Sequence, residues 1–180
     1  MLIVGGGAVG YEKLSAILNN SPKANVTLVA EEIADAIKAL AANYEKVVLI
    51  ERSFEKEDLL EKDLVIAATD SKLLNEEVKI LAKKEKVLAN VADTPHLCDF
   101  YLGSVVQKGH LKIGISTNGQ SPTMAKRLKE VLKEAIPDNI NESIENLKTI
   151  RDKLKGDFAF KVEELNRITK SLTIQTRKED

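Results

Sequence analysis

The stretch MLIVGGGAVGYEKL, residues 1–14, joins a short apolar run to three consecutive glycines. Residues 2–4 predict a buried strand, and from Ala8 onward the apolar side chains follow the spacing of a helix. A strand that passes through glycines straight into a helix is typical of the first unit of a doubly wound α/β fold. The sequence therefore predicts that the sheet starts here.

The glycines fit the G-x-G-x-x-G fingerprint at Gly5, Gly7 and Gly10, in the strand-to-helix context that the fingerprint requires. The first permits a tight turn, the second has no side chain to block a pyrophosphate, and the third lets the helix pack against the strand. The amide groups at the helix start, near Ala8 and Val9, are expected to face the phosphates. We predict dinucleotide binding; the alternative is a turn with a purely structural purpose.

Strands and helices alternate through the first half of the chain. Short and almost continuously apolar runs predict strands covered by helices on both faces, and an alanine-rich stretch predicts a helix over residues 31–44. The further predicted strands are residues 26–29, 47–50, 64–68 and 87–91. The alternation predicts an α/β fold, a Rossmann-like doubly wound parallel sheet.

The pattern changes beyond this sheet. Residues 101–107 and 111–116 predict a hairpin around a Lys-Gly-His turn. Ser121 followed by Pro122 predicts the N-cap and first residue of a helix. The remainder is polar and helical in character, with a break near Gly156. The predicted domains are a nucleotide-binding domain over residues 1–100, a small hairpin-and-helix region over 101–137 and a helical C-terminal domain over 138–180.

Composition limits the class of protein. The 27 basic and 28 acidic side chains nearly cancel, which gives no overall electrostatic reason to expect nucleic acid or an acidic membrane surface. No apolar run approaches the roughly 18 residues of a membrane span, and the N-terminus lacks a secretory layout. The single cysteine, Cys98, excludes an internal disulfide and suits a cytoplasmic protein. His96 and Cys98 are too few ligands for a structural zinc ion, so we expect no metal site.

The acid that holds the ribose hydroxyls of a bound dinucleotide usually follows the second strand. Glu31 lies about 20 residues past the glycines, as the fingerprint asks. No arginine lies nearby in the sequence to favour a 2′-phosphate, so we predict NAD rather than NADP. The alternative for Glu31 is an ordinary acid at a helix start. Ala68, Thr69 and Asp70 end the fourth strand and are expected to border the cofactor at the carboxyl edge of the sheet.

Three further motifs carry a resemblance to a known family: VIAATD at residues 65–70, NVADTPHLCDF at 90–100 and ISTNGQSPTMAKRL at 115–128. With the glycine opening, they resemble the precorrin-2 dehydrogenase family of siroheme synthesis, which includes bifunctional forms that are also sirohydrochlorin ferrochelatases. The resemblance implies NAD-dependent oxidation of precorrin-2 to sirohydrochlorin, with Fe²⁺ as a further substrate in the bifunctional forms. It also implies a homodimer that exchanges the hairpin region at its interface.

The resemblance implies roles for individual residues. Asp93, the aspartate of the N-V-x-D motif, would act as an acid/base group, and the backbone around Asn90 and Val91 would border the nicotinamide end of the cofactor. The tetrapyrrole side would be formed by the T-x-G-x-S-P motif, which falls on Thr117, Gly119, Ser121 and Pro122.

Two of these residues also have structural explanations. Asp93 precedes Thr94 and Pro95, a common position for an aspartate that forms a turn. Ser121 is explained as a helix cap. A capped helix start still presents free amides to a carboxylate, so for Ser121 the two interpretations coexist.

Precorrin-2 is a polycarboxylate, so its cleft is expected to be basic even in a nearly neutral protein. Arginine holds a carboxylate through two parallel hydrogen bonds, and lysine holds it as a point charge. The basic residues around the hairpin and the following helix are Lys108, His110, Lys112, Lys126 and Arg127, of which the last two are the predicted substrate ligands. The alternative is an ordinary solvated face.

Three features depart from the family pattern. Family members usually carry a segment before the first strand, whereas this chain starts within it, so we expect an incomplete sheet edge or a misplaced start. Asn118 stands where glycine is common, and Gly103 stands where proline is common. These two departures put the local geometry near the substrate in question, but not the fold.

Two other functions fit part of the sequence. A regulatory module that senses NAD without chemistry explains residues 1–93 equally well, but it leaves residues 117–122 and the basic hairpin without a purpose. An unrelated small dehydrogenase without tetrapyrrole specificity is a third alternative. Turnover of NAD with precorrin-2 distinguishes the three.

Overall fold

The computed structural model describes residues 1–170 and divides into two compact units. The first unit contains Met1–Gly103 and Ser116–Ala125, and the second contains Ser104–Ile115 and the chain from Lys126 onward. Domain boundaries at residues 100 and 137 stay a prediction. The end of the predicted C-terminal domain, residues 171–180, lies outside the described residues.

The first unit is built on a five-stranded parallel sheet. Its strands are β1 (Leu2–Val4), β2 (Val26–Ala30), β3 (Val47–Glu51), β4 (Leu64–Ala67) and β5 (Leu88–Val91). They lie in the order β3-β2-β1-β4-β5, and all neighbours are parallel. The order reverses at β1, and open α/β sheets bind their ligands beside such a switch point. The predicted doubly wound parallel sheet is confirmed.

The strand in which the chain starts lies in the middle of this sheet. Leu2 pairs with Thr27 of β2 on one side and with Val65 of β4 on the other. Leu2 and Ile3 are fully buried, and Val4 is 2% exposed. The expected incomplete edge therefore does not arise at β1.

Three helices cover the two faces of the sheet: α1 (Ala8–Asn20), α2 (Asp35–Ala41) and α3 (Lys72–Lys84). Ile3 packs with α1 and α2 through Leu14 and Ile37, whereas Leu2 packs with α3 through Val78. Successive side chains of a strand point to opposite faces, and here each face meets an apolar helix surface. This explains why the strands are almost continuously apolar in the sequence.

Helix α2 is shorter than the helix predicted over residues 31–44. Its predicted first turn is held in another conformation, because the Ile33 N–H donates to Glu51 Oε1 (3.2 Å) and the Ala34 N–H donates to the Gly6 carbonyl (3.0 Å). These bonds tie the turn to the end of β3 and to the glycine loop. The prediction of helix for this turn is therefore wrong.

The outer edge of β5 is covered by the segment that follows it. The Ala89 N–H donates to Asp99 Oδ2 (2.9 Å), and the Asp99 N–H donates to the Ala89 carbonyl (2.7 Å). Further along, the Val91 N–H donates to the Sγ atom of Cys98 (3.3 Å). Backbone polar groups on a strand edge would otherwise lack partners, so this segment completes the hydrogen bonding of β5.

Asp99 is expected to make the stability of the first unit depend on acid pH. The Lys79 ammonium, 2.6 Å away, and the Ala89 N–H hold the pKa of Asp99 below its usual range. Such a carboxylate contributes stability above its unfolded pKa of about 4, and the contribution is lost as the pH falls through the lower, folded pKa. Asp99→Asn should therefore lower the free energy of unfolding at pH 7, by up to about 1 kcal/mol because the ion pair is partly exposed.

Urea unfolding followed by circular dichroism at pH 7, 4 and 3 measures this effect. The difference between Asp99→Asn and the wild type should shrink as the pH falls below about 4. Glu163→Gln, which removes an exposed acid from the second unit, is the control. A difference of equal size at all three pH values would contradict the role of the ionised pair.

The second unit contains a hairpin and most of the helical part of the chain. Strands β6 (Ser104–Lys108) and β7 (Leu111–Ile115) pair antiparallel, as predicted, and Gly109 in their turn has φ +56°. The helices that follow are α4 (Pro122–Ala135), whose first residues belong to the first unit, α5 (Ile140–Lys153) and α6 (Phe158–Thr169). The predicted break near Gly156 separates α5 from α6.

Candidate functional site

The glycine loop between β1 and α1 leaves open space at one of its positions. Gly5 has φ +124°, and an added Cβ atom would lie 2.4 Å from the Ala68 carbonyl oxygen. At Gly10 an added Cβ would lie 2.2 Å from the Gly5 carbonyl oxygen. At Gly7 it would meet no atom of the described chain within 4 Å. Packing therefore requires Gly5 and Gly10, while Gly7 leaves the room that a pyrophosphate needs, so the loop fits a dinucleotide.

The start of α1 adds amide donors to this space. The Tyr11 N–H donates to the Gly7 carbonyl (3.0 Å), and Gly7 caps the helix without a side-chain hydrogen bond. The N–H groups of Ala8 and Val9 precede this first helical hydrogen bond, so they have no partner within the helix. Together with the helix dipole they favour an anion.

Gly6 joins the glycine loop to the turn that precedes α2, a role that the sequence reasoning missed. An added Cβ at Gly6 would lie 2.1 Å from the Glu32 carbonyl oxygen and 2.9 Å from the Ala30 Cβ. Only glycine fits this close approach of two loops. The sequence does contain this signal, because Gly6 stands at a position of the fingerprint, between Gly5 and Gly7, that can be any residue.

Glu31 directly follows β2 and therefore lies at the carboxyl edge of the sheet, in the turn that packs on the glycine loop. Its Oε1 atom accepts a hydrogen bond of 2.6 Å from the Ser53 hydroxyl, on the segment after β3. The side chain is exposed. This position suits an acid that binds ribose hydroxyls, which stays a prediction for Glu31.

Ala68, Thr69 and Asp70 follow β4, whose carboxyl end adjoins that of β1. Asn75 of α3 holds this loop: its Oδ1 accepts from the Thr69 hydroxyl (2.8 Å), and its Nδ2 donates to the Thr69 carbonyl (3.0 Å). Asn75 is 5% exposed, and these bonds satisfy its buried amide. Sequence reasoning missed Asn75, although a polar residue three positions before Val78 on the buried face of a helix is a usable signal.

Asn90 and Val91 end β5 and are both buried. The Asn90 Nδ2 donates to the Phe100 carbonyl (2.8 Å), so this side chain fixes the segment that covers the edge of β5. The predicted contact of these two residues with the cofactor therefore concerns their backbone.

Asp93 lies in the turn that follows β5. Its φ is +55°, in the left-handed region that aspartate and asparagine tolerate better than most residues. The side chain is exposed and forms no hydrogen bond or ion pair with any other of the residues 1–170. Both interpretations of Asp93, turn residue and accessible acid/base group, are compatible with this geometry.

The Thr117–Ser121 motif forms a tight turn within the first unit. Asn118 and Gly119 have φ +50° and +78°, and the Gln120 N–H donates to the Thr117 carbonyl (2.9 Å). This is a type I′ turn, which the Asn-Gly pair favours. The positive φ also explains how asparagine replaces the glycine that is common in the family at residue 118.

Tyr101 brings this turn next to the segment after β5. Its hydroxyl donates to the Pro95 carbonyl (3.1 Å), and its ring carbon Cζ would lie 3.6 Å from a Cβ placed on Gly119. The turn and the loop that contains Asp93 are therefore neighbours, which the sequence reasoning did not predict.

Ser121 caps α4, as predicted. Its hydroxyl accepts from the Met124 N–H (3.1 Å), and its own N–H donates to Thr117 Oγ1 (3.1 Å). The cap ties the start of the helix to the motif turn. A role of Thr117, Gly119 and Ser121 in substrate binding stays a prediction.

The predicted basic residues differ in how they are paired. Lys126 is exposed and forms no ion pair with the rest of the described chain, residues 1–170. Three others face acids: Lys108 faces Asp138 (2.7 Å), His110 faces Glu145 (3.7 Å) and Arg127 faces Glu130 (2.8 Å). Lys108 also donates to the Ile136 carbonyl, and this lysine holds the pKa of Asp138 below its usual range. Lys126 is thus better placed than Arg127 to meet a carboxylate without first leaving a partner.

Within residues 1–170 no three His, Cys, Asp or Glu side chains come together in a way that could hold a metal ion. Cys98 is a free thiol whose Sγ donates to the Val91 carbonyl (3.2 Å). None of the helices in that part of the chain is both long and apolar enough to span a membrane.

A doubly wound parallel sheet with an open glycine loop at its switch point defines a dinucleotide-binding protein. The family described as "Putative NAD(P)-binding" matches residues 1–104, and this chain belongs to that family. A second family, "Sirohaem biosynthesis protein central", matches residues 108–135. The predicted dinucleotide cofactor and the resemblance to proteins of siroheme synthesis are thereby confirmed.

The chain is similar to individual proteins over most of its length. It is 37% identical over 158 residues to a siroheme synthase of Pseudoalteromonas translucida (strain TAC 125) and 32% identical over 158 residues to one of Ruthia magnifica subsp. Calyptogena magnifica. Each alignment covers 88% of this chain, which spans about a third of the length of these curated relatives. A solved structure of SirC, precorrin-2 dehydrogenase, matches with 27% identity and a TM-score of 0.73, over 93% of this chain and 82% of that one.

Proposed function

We propose that this protein catalyses the NAD-dependent oxidation of precorrin-2 to sirohydrochlorin in siroheme synthesis. The observation that carries the proposal is the position of Tyr101, whose hydroxyl donates to the Pro95 carbonyl, two residues after Asp93, and whose ring lies beside the motif turn at Gly119. The loop that contains Asp93, a group suited to proton transfer, and the motif turn proposed for substrate binding are therefore neighbours, which supports the proposal. Similarity to siroheme synthases and to a precorrin-2 dehydrogenase supports the same reaction.

Different residues bind the cofactor and act on the substrate. NAD, when bound, accepts the hydride that the oxidation of the substrate releases. The space at Gly7 and the amides of Ala8 and Val9 hold the pyrophosphate, and Glu31 accepts hydrogen bonds from the ribose hydroxyls. Asp93, exposed and without a partner in the described chain, takes up a proton from the substrate.

Substrate binding is assigned to the start of α4. Ser121 caps this helix, and the helix dipole favours a carboxylate at its start. Lys126 follows on the same helix and forms no ion pair within residues 1–170. Arg127 adds a second cation if it exchanges Glu130 for the substrate. A polycarboxylate tetrapyrrole suits these cations together with the positive end of the helix dipole.

We propose NAD rather than NADP as the cofactor, because the carboxylate of Glu31 accepts ribose hydroxyls but repels a 2′-phosphate.

We propose the cytoplasm as the location, because the thiol of Cys98 is free.

Anaerobic incubation with precorrin-2 and NAD tests the reaction. Sirohydrochlorin and NADH are expected to form in equal amounts, measured by absorbance. Binding of NAD without oxidation of precorrin-2 would instead favour the alternative of an NAD-sensing module, which leaves the match over residues 108–135 unexplained. We propose the bifunctional activity, insertion of Fe²⁺ into sirohydrochlorin, separately. It is assayed in the same mixture.

We also propose a symmetric homodimer. A two-stranded hairpin is marginal in water by itself, and β6–β7 carries a series of apolar side chains. Helix α4 leaves Met124, Leu128 and Val131 54%, 41% and 60% exposed, at the spacing that places them on one helix face. A second copy of the chain would cover this face through the same surface on both subunits.

Light scattering after gel filtration at micromolar concentration is expected to give the dimer mass. The double variant Leu128→Glu/Val131→Glu should give the monomer mass, because it places charges in the apolar contact. Leu73→Glu, at an 80% exposed leucine of α3, is the matched control and should remain dimeric. A monomer mass for the wild type would refute the proposal.

A further inference from the structure

The last residue of β3 and the segment after it hold the turn that contains Glu31 at two points. The Ser53 hydroxyl donates to Glu31 Oε1 (2.6 Å), and Glu51 Oε1 accepts from the Ile33 N–H (3.2 Å). Glu51 also lies 3.3 Å from the Lys38 ammonium of α2. The orientation of the Glu31 carboxylate thus depends on residues that come about 20 positions later in the chain.

Arg52 stands between Glu51 and Ser53 in the chain, so the segment that holds the turn with Glu31 carries an arginine, although none lies near Glu31 in the sequence. Its guanidinium is held by Asp58, with Nη1 and Nη2 donating to the two carboxylate oxygens at 2.9 and 2.7 Å. This bidentate pair keeps the pKa of Asp58 below its usual range. Nη1 also donates to the Ser53 carbonyl (2.8 Å), which ties the guanidinium to its own segment.

The Arg52–Asp58 pair is well anchored. The Asp58 side chain is only 7% exposed and also accepts from the Glu55 N–H (2.9 Å). A bidentate arginine–carboxylate pair is among the stronger side-chain interactions, and it occupies the donors that would otherwise bind a phosphate. Asp58 thus occupies the guanidinium of the segment that holds the Glu31 turn, which is then not available to an anionic ligand.

We propose that Ser53 and Asp58 set the selectivity of this site for NAD over NADP. The proposal rests on the NAD cofactor assigned above. Ser53 is a positioning residue, which holds the Glu31 carboxylate ready to accept the ribose hydroxyls. Asp58 weakens the binding of NADP, because its carboxylate holds the Arg52 guanidinium that would otherwise bind the 2′-phosphate.

The test is the ratio of the dissociation constants of NADP and NAD, measured by calorimetry without substrate. Ser53→Ala should lower this ratio about fivefold through weaker NAD binding, the scale of one hydrogen bond to an exposed charged group. Ser53→Thr keeps the hydroxyl and should keep the ratio. Asp58→Asn should tighten NADP binding about tenfold, a gain that adding Arg52→Gln should remove.

The Arg52→Gln variant alone is the matched control, since a guanidinium held by Asp58 contacts neither cofactor. It should leave both dissociation constants within about twofold, the range expected for an exposed ion pair; a larger loss for either cofactor overturns the proposal. An unchanged ratio in Ser53→Ala also overturns it, while the proposed function stands as long as NAD binds. If circular dichroism shows that Asp58→Asn is unfolded, the Ser53 and Arg52 variants decide. Failure of the wild type to bind NAD would overturn the proposed function itself and this selectivity with it.

Discussion

Gly7→Val is expected to abolish NAD binding while the protein stays folded. The valine side chain would enter the space beside the start of α1, where an added Cβ meets no atom of the described chain within 4 Å. Gly7 has φ −91°, which any residue adopts, so valine brings little backbone strain. The substitution is therefore expected to prevent binding of the pyrophosphate while the fold stays intact. Calorimetry with NAD measures it, and circular dichroism checks the fold.

Two other glycines provide controls for this result. Gly114→Val, at a strand position of the hairpin with equally open surroundings, should leave the affinity for NAD unchanged. Gly6→Ala should instead destabilise the protein, because its Cβ would lie 2.1 Å from the Glu32 carbonyl oxygen. Unchanged NAD affinity in Gly7→Val would show that the loop is a structural turn.

Asp93→Ala is expected to keep NAD binding and the dimer but to lower the rate of precorrin-2 oxidation by about 10²-fold or more, the usual effect of losing an acid/base group. The carboxylate is exposed after β5, next to the loop that Tyr101 joins to the motif turn. Its removal leaves no nearby proton acceptor of the same kind in this turn. The measurement is anaerobic sirohydrochlorin formation at saturating NAD, and iron insertion should fall in the same variant if Asp93 serves both steps.

Backbone strain has to be separated from chemistry in this experiment. Alanine tolerates φ +55° less well than aspartate does. Asp93→Asn keeps a residue suited to this conformation and should lose the activity equally. Glu61→Ala, an exposed acid with φ +58° outside the site, should retain it. Wild-type rates in Asp93→Asn would reduce Asp93 to a turn residue.

The sheet could be predicted because its information is local. Each strand from β2 to β5 matches an almost continuously apolar run to within one residue at either end, and such runs are typical of strands buried on both faces. The glycine loop was equally legible, because Gly5, Gly7 and Gly10 each have a separate steric task. The cap of α4 followed from the Ser121–Pro122 pair alone.

The remaining parts of the site depend on contacts between residues far apart in the chain. Helix α2 starts late because Gly6 and Glu51 compete for the backbone of the turn before it. The orientation of Glu31 depends on Ser53, and the place of the motif turn depends on Tyr101. Neither pairing leaves a periodic signal in the sequence. The ion pairs of the basic hairpin are tertiary in the same way, so Lys108 could not be told from Lys126 before the fold was known.

The central position of β1 has a consequence for the order in which the protein folds. Leu2 finds its first neighbour in Thr27, but its second, Val65, comes much later in the chain. Closing such long loops costs entropy before the contacts form, which makes parallel sheets slow to assemble. During synthesis, one edge of β1 therefore stays unpaired until β4 has emerged from the ribosome, and β1 becomes a central strand only after β2, β3 and β4 have been made.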